Sequence, residues 1–161
     1  MNVFDRTHHK ALWEYMAQEK IIIEICTLIT KEYADMIASY IDFDEIYDIT
    51  RDCVYDKKMQ FFVENHILYD DIPINCCYAC QTSYSVDDFG QNCDRCPVDL
   101  KGKCEESNSV YVTKGNLYDR YIKYIAHIVM NPKEKDKYIK QAHKIALQIA
   151  NAKLQYEVEE V

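Results

Sequence analysis

Cys76-Cys77-Tyr78-Ala79-Cys80 is followed twelve residues later by Cys93-Asp94-Arg95-Cys96-Pro97, and then by Cys104. The block contains C-x2-C, a twelve-residue spacer and a second C-x2-C. Two such knuckles supply four thiolates to one tetrahedral zinc, because a two-residue gap lets both sulfurs of a knuckle turn toward one point. The ligand set is Cys77, Cys80, Cys93 and Cys96. Cys76 adjoins Cys77, and adjacent residues seldom both ligate one ion. Cys104 is left as a substitute for one member of the second knuckle or as a free thiol. The spacer carries Asp87-Asp88-Phe89-Gly90, suited to a turn between two short strands of a zinc ribbon.

Around that block the chain reads as helical. Only three Gly and three Pro in 161 residues argue against a turn-rich all-β fold, and 48% hydrophobic residues are enough for a packed core. Asp5 or Thr7 can cap a first helix bearing Ala11, Leu12, Tyr15 and Met16. Its pattern continues through Ile21, Ile22, Ile25, Leu28 and Ile29, either unbroken or restarting near Lys20. Asp42-Phe43-Asp44 reads as a break, with Asp44 as the next cap, and Ile46 to Ile67 as one or two more helices. Cys26 and Cys53 fall on apolar faces and read as core residues. Asn116 can cap a helix over Tyr118–Val129. Asn131-Pro132 with Glu134 predicts a capping box for the last helix. There Tyr138, Ala142, Ile145, Ile149, Ala152 and Tyr156 form a short heptad stripe, read as bundle packing. The expected architecture is mainly α: a helical bundle with a small zinc-ribbon-like insert. Residues 1–72 form the N-terminal helical region, 73–113 the insert, and 114–161 a C-terminal helical pair packed on the first helices.

Composition bounds the function. Met1-Asn2-Val3-Phe4-Asp5 lacks a basic start followed by an apolar run, so no secretory signal is expected, and Ile21-Ile22-Ile23 is closed by Glu24 before it could span a membrane. The expectation is a cytoplasmic protein in a reducing compartment, where paired Cys favour metal over disulfide. No catalytic signature is visible: no G-x-S-x-G, Walker loop, H-E-x-x-H or G-x-G-x-x-G occurs, and no H-x-E precedes a P-C-x-x-C. Four thiolates also close a zinc to water. The reading is a non-enzyme with a structural zinc.

The net charge of −8 is unevenly spread. Residues 1–75 hold seven Lys/Arg against fifteen Asp/Glu, and residues 114–155 hold nine against three. Either the two regions solvate or attract one another within the fold, or they present two faces to different partners. Asp44, Glu45, Asp48 and Asp52 are the candidate contact to a basic, nucleic-acid-handling protein, within an acidic run from Asp42 to Asp56. Lys133, Lys135, Lys137, Lys140 and Lys144 on the last helix are the alternative, a nucleic-acid surface. The knuckle block is a poorer one: Asp87, Asp88, Asp94 and Asp99 outnumber Arg95, Lys101 and Lys103 before any thiolate is counted.

Leu12-Trp13-Glu14-Tyr15-Met16, with Cys77, Cys80, Cys93, Cys96-Pro97 and Cys104, resembles a loose group of small zinc-knuckle proteins. They are proteins of phages and prophages of low-GC Gram-positive bacteria. The Ile-, Lys-, Asn- and Tyr-rich composition is similar too, and the long acidic segment 42–71 departs from the pattern. The resemblance implies a mobile-element accessory protein in the host cytoplasm. Such a protein binds and modulates a bacterial protein, for example by inhibiting a defence system such as a CRISPR effector. The alternative is a zinc-containing nucleic-acid-binding regulator that uses the C-terminal lysine-rich helix.

Overall fold

The computed structural model describes residues 3–38, 42–73, 76–80, 96–102 and 110–160. The fold is mainly α. Helix α1 (Arg6–Ala17) is capped by Asp5, whose carboxylate accepts the His8 N–H. Its buried residues His9, Leu12, Trp13, Met16 and Ala17 follow helical spacing. At Gln18 the backbone turns extended (ψ 133°), and α2 (Glu19–Ala38) starts at once. The pattern therefore restarts rather than running on. Within α2, Tyr33 leaves helical geometry (φ −123°, ψ 20°) and kinks the helix. Helix α3 (Phe43–Glu64) is one unbroken element. Its cap is Asp42, not Asp44: the Asp42 side chain accepts the Glu45 N–H, and Asp44 falls in the first turn, where its charge suits the helix dipole.

Helix α4 (Leu117–Met130) begins with a complete capping box in which Asn116 and Asp119 exchange side-chain and backbone bonds. Gly115 precedes it at φ +94°, where a Cβ would stand 2.9 Å from that of Asp119. Only glycine fits both conditions. A short 3-10 turn, Pro132–Glu134, leads into α5 (Lys135–Ala150). The second expected capping box does not form. Asn131 instead turns its side-chain amide back to the His127 carbonyl, 3.3 Å away, and so closes α4 rather than opening α5. The heptad stripe also stops early, because α5 ends at Ala150, and Ala152 and Tyr156 belong to the tail.

Helices α4 and α5 form a hairpin, α1 lies along α5, and α2 packs on α3, α4 and α5. The core joins Leu12, Met16, Ile22, Ile25, Ile29, Ile46, Phe62, Ile122, Ile125 and Ile145. Each such side chain contributes about 1.5–3 kcal/mol of apolar burial. Polar groups pin the helix ends. The last-turn carbonyls of α1, left without helical partners, are taken up by Tyr121 and His143: the Tyr121 hydroxyl donates to Met16 O (2.8 Å) and His143 Nδ1 to Ala17 O (2.6 Å). His9 Nε2 does the same for Ile149 O at the end of α5 (2.9 Å).

The C-terminal tail returns across the molecule. Leu154 bridges Val98, the Gln155 N–H donates to Pro97 O and the Asp99 N–H to Lys153 O. Strand β1 (Val3–Phe4) then pairs in parallel with β2 (Glu159–Glu160), reinforced by an Arg6–Glu160 ion pair. The two strands of the expected zinc ribbon, with Asp87–Gly90 between them, lie outside the described residues.

Candidate metal centre and the α3 surface

The first knuckle rests on one face of α3. Tyr55, Lys58, Met59 and Phe62 are spaced i, i+3, i+4 and i+7 and so share that face. Cys76 donates to the Met59 sulfur at 3.0 Å and also bonds the Tyr55 hydroxyl. The Tyr78 ring packs edge-on against Phe62 (6.0 Å between centroids) and stacks on His8 of α1 (5.6 Å). Cys76 itself sits at φ +54°, the left-handed region a non-glycine residue seldom occupies. That twist sends the Cys76 sulfur into α3 and leaves the Cys77 sulfur to face Cys80.

Residues 78–80, directly after Cys77, are helical. The Cys80 N–H donates to the Cys77 sulfur at 3.4 Å. The Cys80 thiol, followed by the Lys58 ammonium and the backbone N–H groups of Cys80 and Ala79, outweighs burial and pulls the Cys77 thiol down to about 6. The shift favours the thiolate of Cys77, the form that binds metal. Cys76 behaves in the opposite way, its thiol pushed up chiefly by burial. The pair separates into a ligand-type sulfur and an anchor.

Cys96 is buried at the exit of the second knuckle. Its carbonyl and that of Val98 both accept from the Gln155 side-chain amide, each at 2.9 Å, so the tail holds this strand-like exit in place. Cys93 and Cys104 lie outside the described residues. Among the described residues no three His, Cys, Asp or Glu side chains converge on a metal position. The Cys77 and Cys80 sulfurs are of the donor type that suits a soft divalent ion, with the Cys80 N–H aimed at the Cys77 sulfur.

Cys53 is buried, whereas Cys26 is only half-buried and lines an open groove of about 500 Å³ between α2, α4 and α5. Both thiols are pushed up to about 12, mainly by burial, which makes them inert.

Asp44, Glu45, Asp48 and Asp52 are all exposed on α3. Asp48 pairs at 3.3 Å with Arg51, itself exposed. Asp48, Asp52, Tyr55 and Met59 advance by four, three and four residues, so the acidic stripe runs along α3 into the face that carries the knuckle. Lys133 in the 3-10 turn and Lys135, Lys137, Lys140 and Lys144 on α5 are exposed too. Phe43, His127 and Tyr138 stack in series (5.3 and 5.4 Å), joining the start of α3 to the start of α5. His127 is therefore a packing residue, with Nε2 on the Val110 carbonyl (2.9 Å).

Among the described residues, the buried polar side chains that escape a sequence reading include Lys58, Lys123 and His9. Lys58 is 3% exposed, with its ammonium 4.9 Å from the Tyr118 ring centre and 6.0 Å from that of Trp13. Lys123 is fully buried and donates to Lys114 O (2.8 Å). His9 is buried beside Phe4. Lysine carries a strong expectation of exposure, and no local pattern overrides it. The one available signal is that Lys58 shares a helical face with Tyr55, Met59 and Phe62.

Among the described residues no helix is long and apolar enough to cross a membrane. No family model matches the chain, and no curated protein or solved structure does either.

Proposed function

We propose that this protein is a non-enzymatic, zinc-stabilised helical module that binds a basic, nucleic-acid-handling bacterial protein through α3. It belongs in kind with mobile-element accessory proteins that modulate host machinery, of which inhibitors of defence systems such as CRISPR effectors are one class. Zinc held by Cys77, Cys80, Cys93 and Cys96 fastens the insert to the helical body. The observation that carries the reading is the exposed stripe of Asp44, Glu45, Asp48 and Asp52. Glu45 with Asp48, and Asp48 with Asp52, are like-charge neighbours that cost helix stability. Such a cost is offset when a cationic partner covers the stripe. A tetrathiolate zinc, with a charge near −2, would extend the negative surface along the same helix.

The test is an affinity pull-down from bacterial lysate, with and without nuclease, comparing wild type with the Asp44→Lys, Glu45→Lys, Asp48→Lys triple variant. A protein that survives nuclease and is lost with the triple variant supports the reading. The second reading, a nucleic-acid-binding regulator, draws on the exposed Lys133 and the four exposed lysines of α5. Recovery of nucleic acid alone would favour it.

A further inference from the structure

The groove between α2, α4 and α5 has a volume of about 500 Å³, within the roughly 300–1,000 Å³ range of small-molecule sites. Its apolar walls come from all three helices: Ile23 and Cys26 on α2, Ile128 and Val129 on α4, and Ile139 on α5. Ile23 is 49% exposed, an isoleucine left largely uncovered on the groove. Thr27 and Thr30 also line it, yet they offer it no hydroxyl proton. Each hydroxyl donates to a carbonyl of its own helix, Thr27 to Ile23 O and Thr30 to Cys26 O, both at 2.9 Å. The uncharged lining is thus close to hydrocarbon in character.

Lys31, Lys135 and Asp136 are the charged residues of the lining. The bond from His143 to Ala17 O fixes the start of α2 beside the middle of α5, and α2 runs from there toward the α4–α5 turn. Lys31 and Lys135 lie toward that turn, and Ile23 and Ile139 lie back from it. Along α2, Ile23 and Lys31 are about 12 Å apart, at about 1.5 Å per residue. Among the described residues neither lysine makes an ion pair. Glu24, which borders a second groove with Lys31 and Asp56, is taken by Lys57 at 2.8 Å. Asp136 stands in the first turn of α5, where the helix dipole answers its charge. Lys135, one residue earlier, has the wrong sign for that position, and an anion bound at the groove end would offset it.

We infer that the groove is a binding site for a single-chain amphiphile with an anionic head, of the fatty-acid type. Its chain lies along Ile23, Cys26 and Ile139, and its carboxylate meets Lys31 and Lys135. Charge at one end and hydrocarbon at the other match one terminal anion. They match less well a partner's helix, whose charges are spread along its length. The site is separate from the acidic stripe of α3 and from the zinc cysteines, and it stands or falls without them.

The experiment is isothermal titration calorimetry of the full chain with dodecanoate, below its micellar range and at physiological ionic strength. Saturable one-to-one binding with a Kd below about 1 mM is expected. General attraction does not account for it, because the chain carries a net charge of −8. The Lys31→Glu, Lys135→Glu double variant should weaken binding by about tenfold or more, the scale of one lost contact to a charged group. Ile23→Gln should weaken it by about fivefold through lost apolar contact. Lys144→Glu, on α5 but outside the groove lining, should match wild type. All four positions are exposed, and circular dichroism shows that each variant is folded. If the double variant does not fold, Lys135→Gln alone decides the role of charge. No dodecanoate binding up to about 1 mM overturns the inference. Equal affinity for dodecyldimethylamine oxide, the same chain with a head of no net charge, overturns it too, since hydrocarbon alone would then suffice. Unchanged affinity in either the lysine or the Ile23 variant places the ligand elsewhere and overturns it. So does an amphipathic helical peptide of Leu and Glu that binds the groove while dodecanoate does not, which would make this a docking face for a protein helix.

Discussion

The Cys76 sulfur lies 3.0 Å from the Met59 sulfur, while the sulfur of the next residue, Cys77, takes the Cys80 N–H. Two adjacent cysteines therefore serve different ends. One fastens the insert to α3, and the other faces the helical residues that follow it, where the proposed zinc would bind.

That division gives the first prediction. Purified protein should hold one zinc per chain, and Ser at Cys77, Cys80, Cys93 or Cys96 should lower the content sharply. Cys76→Ala should keep its zinc and lose about 1 kcal/mol of stability, on the scale of a small buried deletion. Cys26→Ala and Cys53→Ala should keep zinc as well. Metal analysis by mass spectrometry and a denaturant titration read both quantities. If zinc is lost in Cys76→Ala but kept in Cys77→Ser, the assignment is reversed.

His9 supplies a pH dependence whose sign is fixed. Burial, opposed by the bond to Ile149 O and aided by the Arg6 charge, lowers its pKa from 6.5 to about 4. Between those values the unfolded chain takes up a proton that the folded chain refuses. Stability then rises with pH across this window and falls as the solution is acidified from about 6.5 to about 4. At 1.36 kcal/mol per pKa unit the full effect is about 3 kcal/mol. His9→Gln, whose amide can still reach Ile149 O, should remove this part of the slope. Urea titrations at pH 4.5 and 7 for both proteins decide it; equal slopes would mean that His9 is accessible to solvent.

The helices were largely legible in the sequence because their apolar positions repeat at helical spacing and their caps are strong side-chain acceptors. Asp5 and Asn116 cap as the residue types suggest. The cap at α3 moved by two residues because Asp42 and Asp44 are chemically equivalent, and only backbone geometry distinguishes them. The Asn131-Pro132-Glu134 signature misled for a related reason. Asn131 is both an N-cap and a C-cap residue type, and the His127 carbonyl offered an acceptor first. The division of labour between Cys76 and Cys77 depends on a positive φ at Cys76, which no spacing encodes. The enclosure of Lys58 needs α1 and α4 to bring Trp13 and Tyr118 over it, a tertiary fact invisible within α3.

Ile145 tests the packing of α5. It is 2% exposed and faces the core. An ionised carboxylate there would be desolvated without a partner, at a cost of several kcal/mol. That consumes much of the roughly 5–15 kcal/mol that holds a typical domain folded. Ile145→Asp should therefore be largely unfolded by circular dichroism at 25 °C. A cooperative melt at the wild-type temperature would show that this face of α5 is not packed.

Charge reversal on α3 separates the two functional readings. Asp44, Glu45 and Asp48 are exposed and none is needed for the cap, which is Asp42, so changing them to Lys should leave the fold intact. If a basic protein docks there, the triple variant should weaken binding mainly through the association rate, because long-range attraction steers encounter. Salt should imitate the variant, as the screening length shrinks from about 10 Å at 0.1 M to about 3 Å at 1 M. Lys133→Glu, Lys137→Glu and Lys140→Glu together should matter little. On the nucleic-acid reading the roles exchange: the lysine reversal abolishes a salt-sensitive affinity, and the acidic reversal strengthens it. A titration of wild type against generic duplex and single-stranded nucleic acid at physiological salt is decisive. Micromolar or tighter binding, abolished by the lysine reversal, would move the functional surface from α3 to α5. Surface plasmon resonance on the captured protein partner, with an association rate that drops in the triple variant and in salt alike, would keep it on α3.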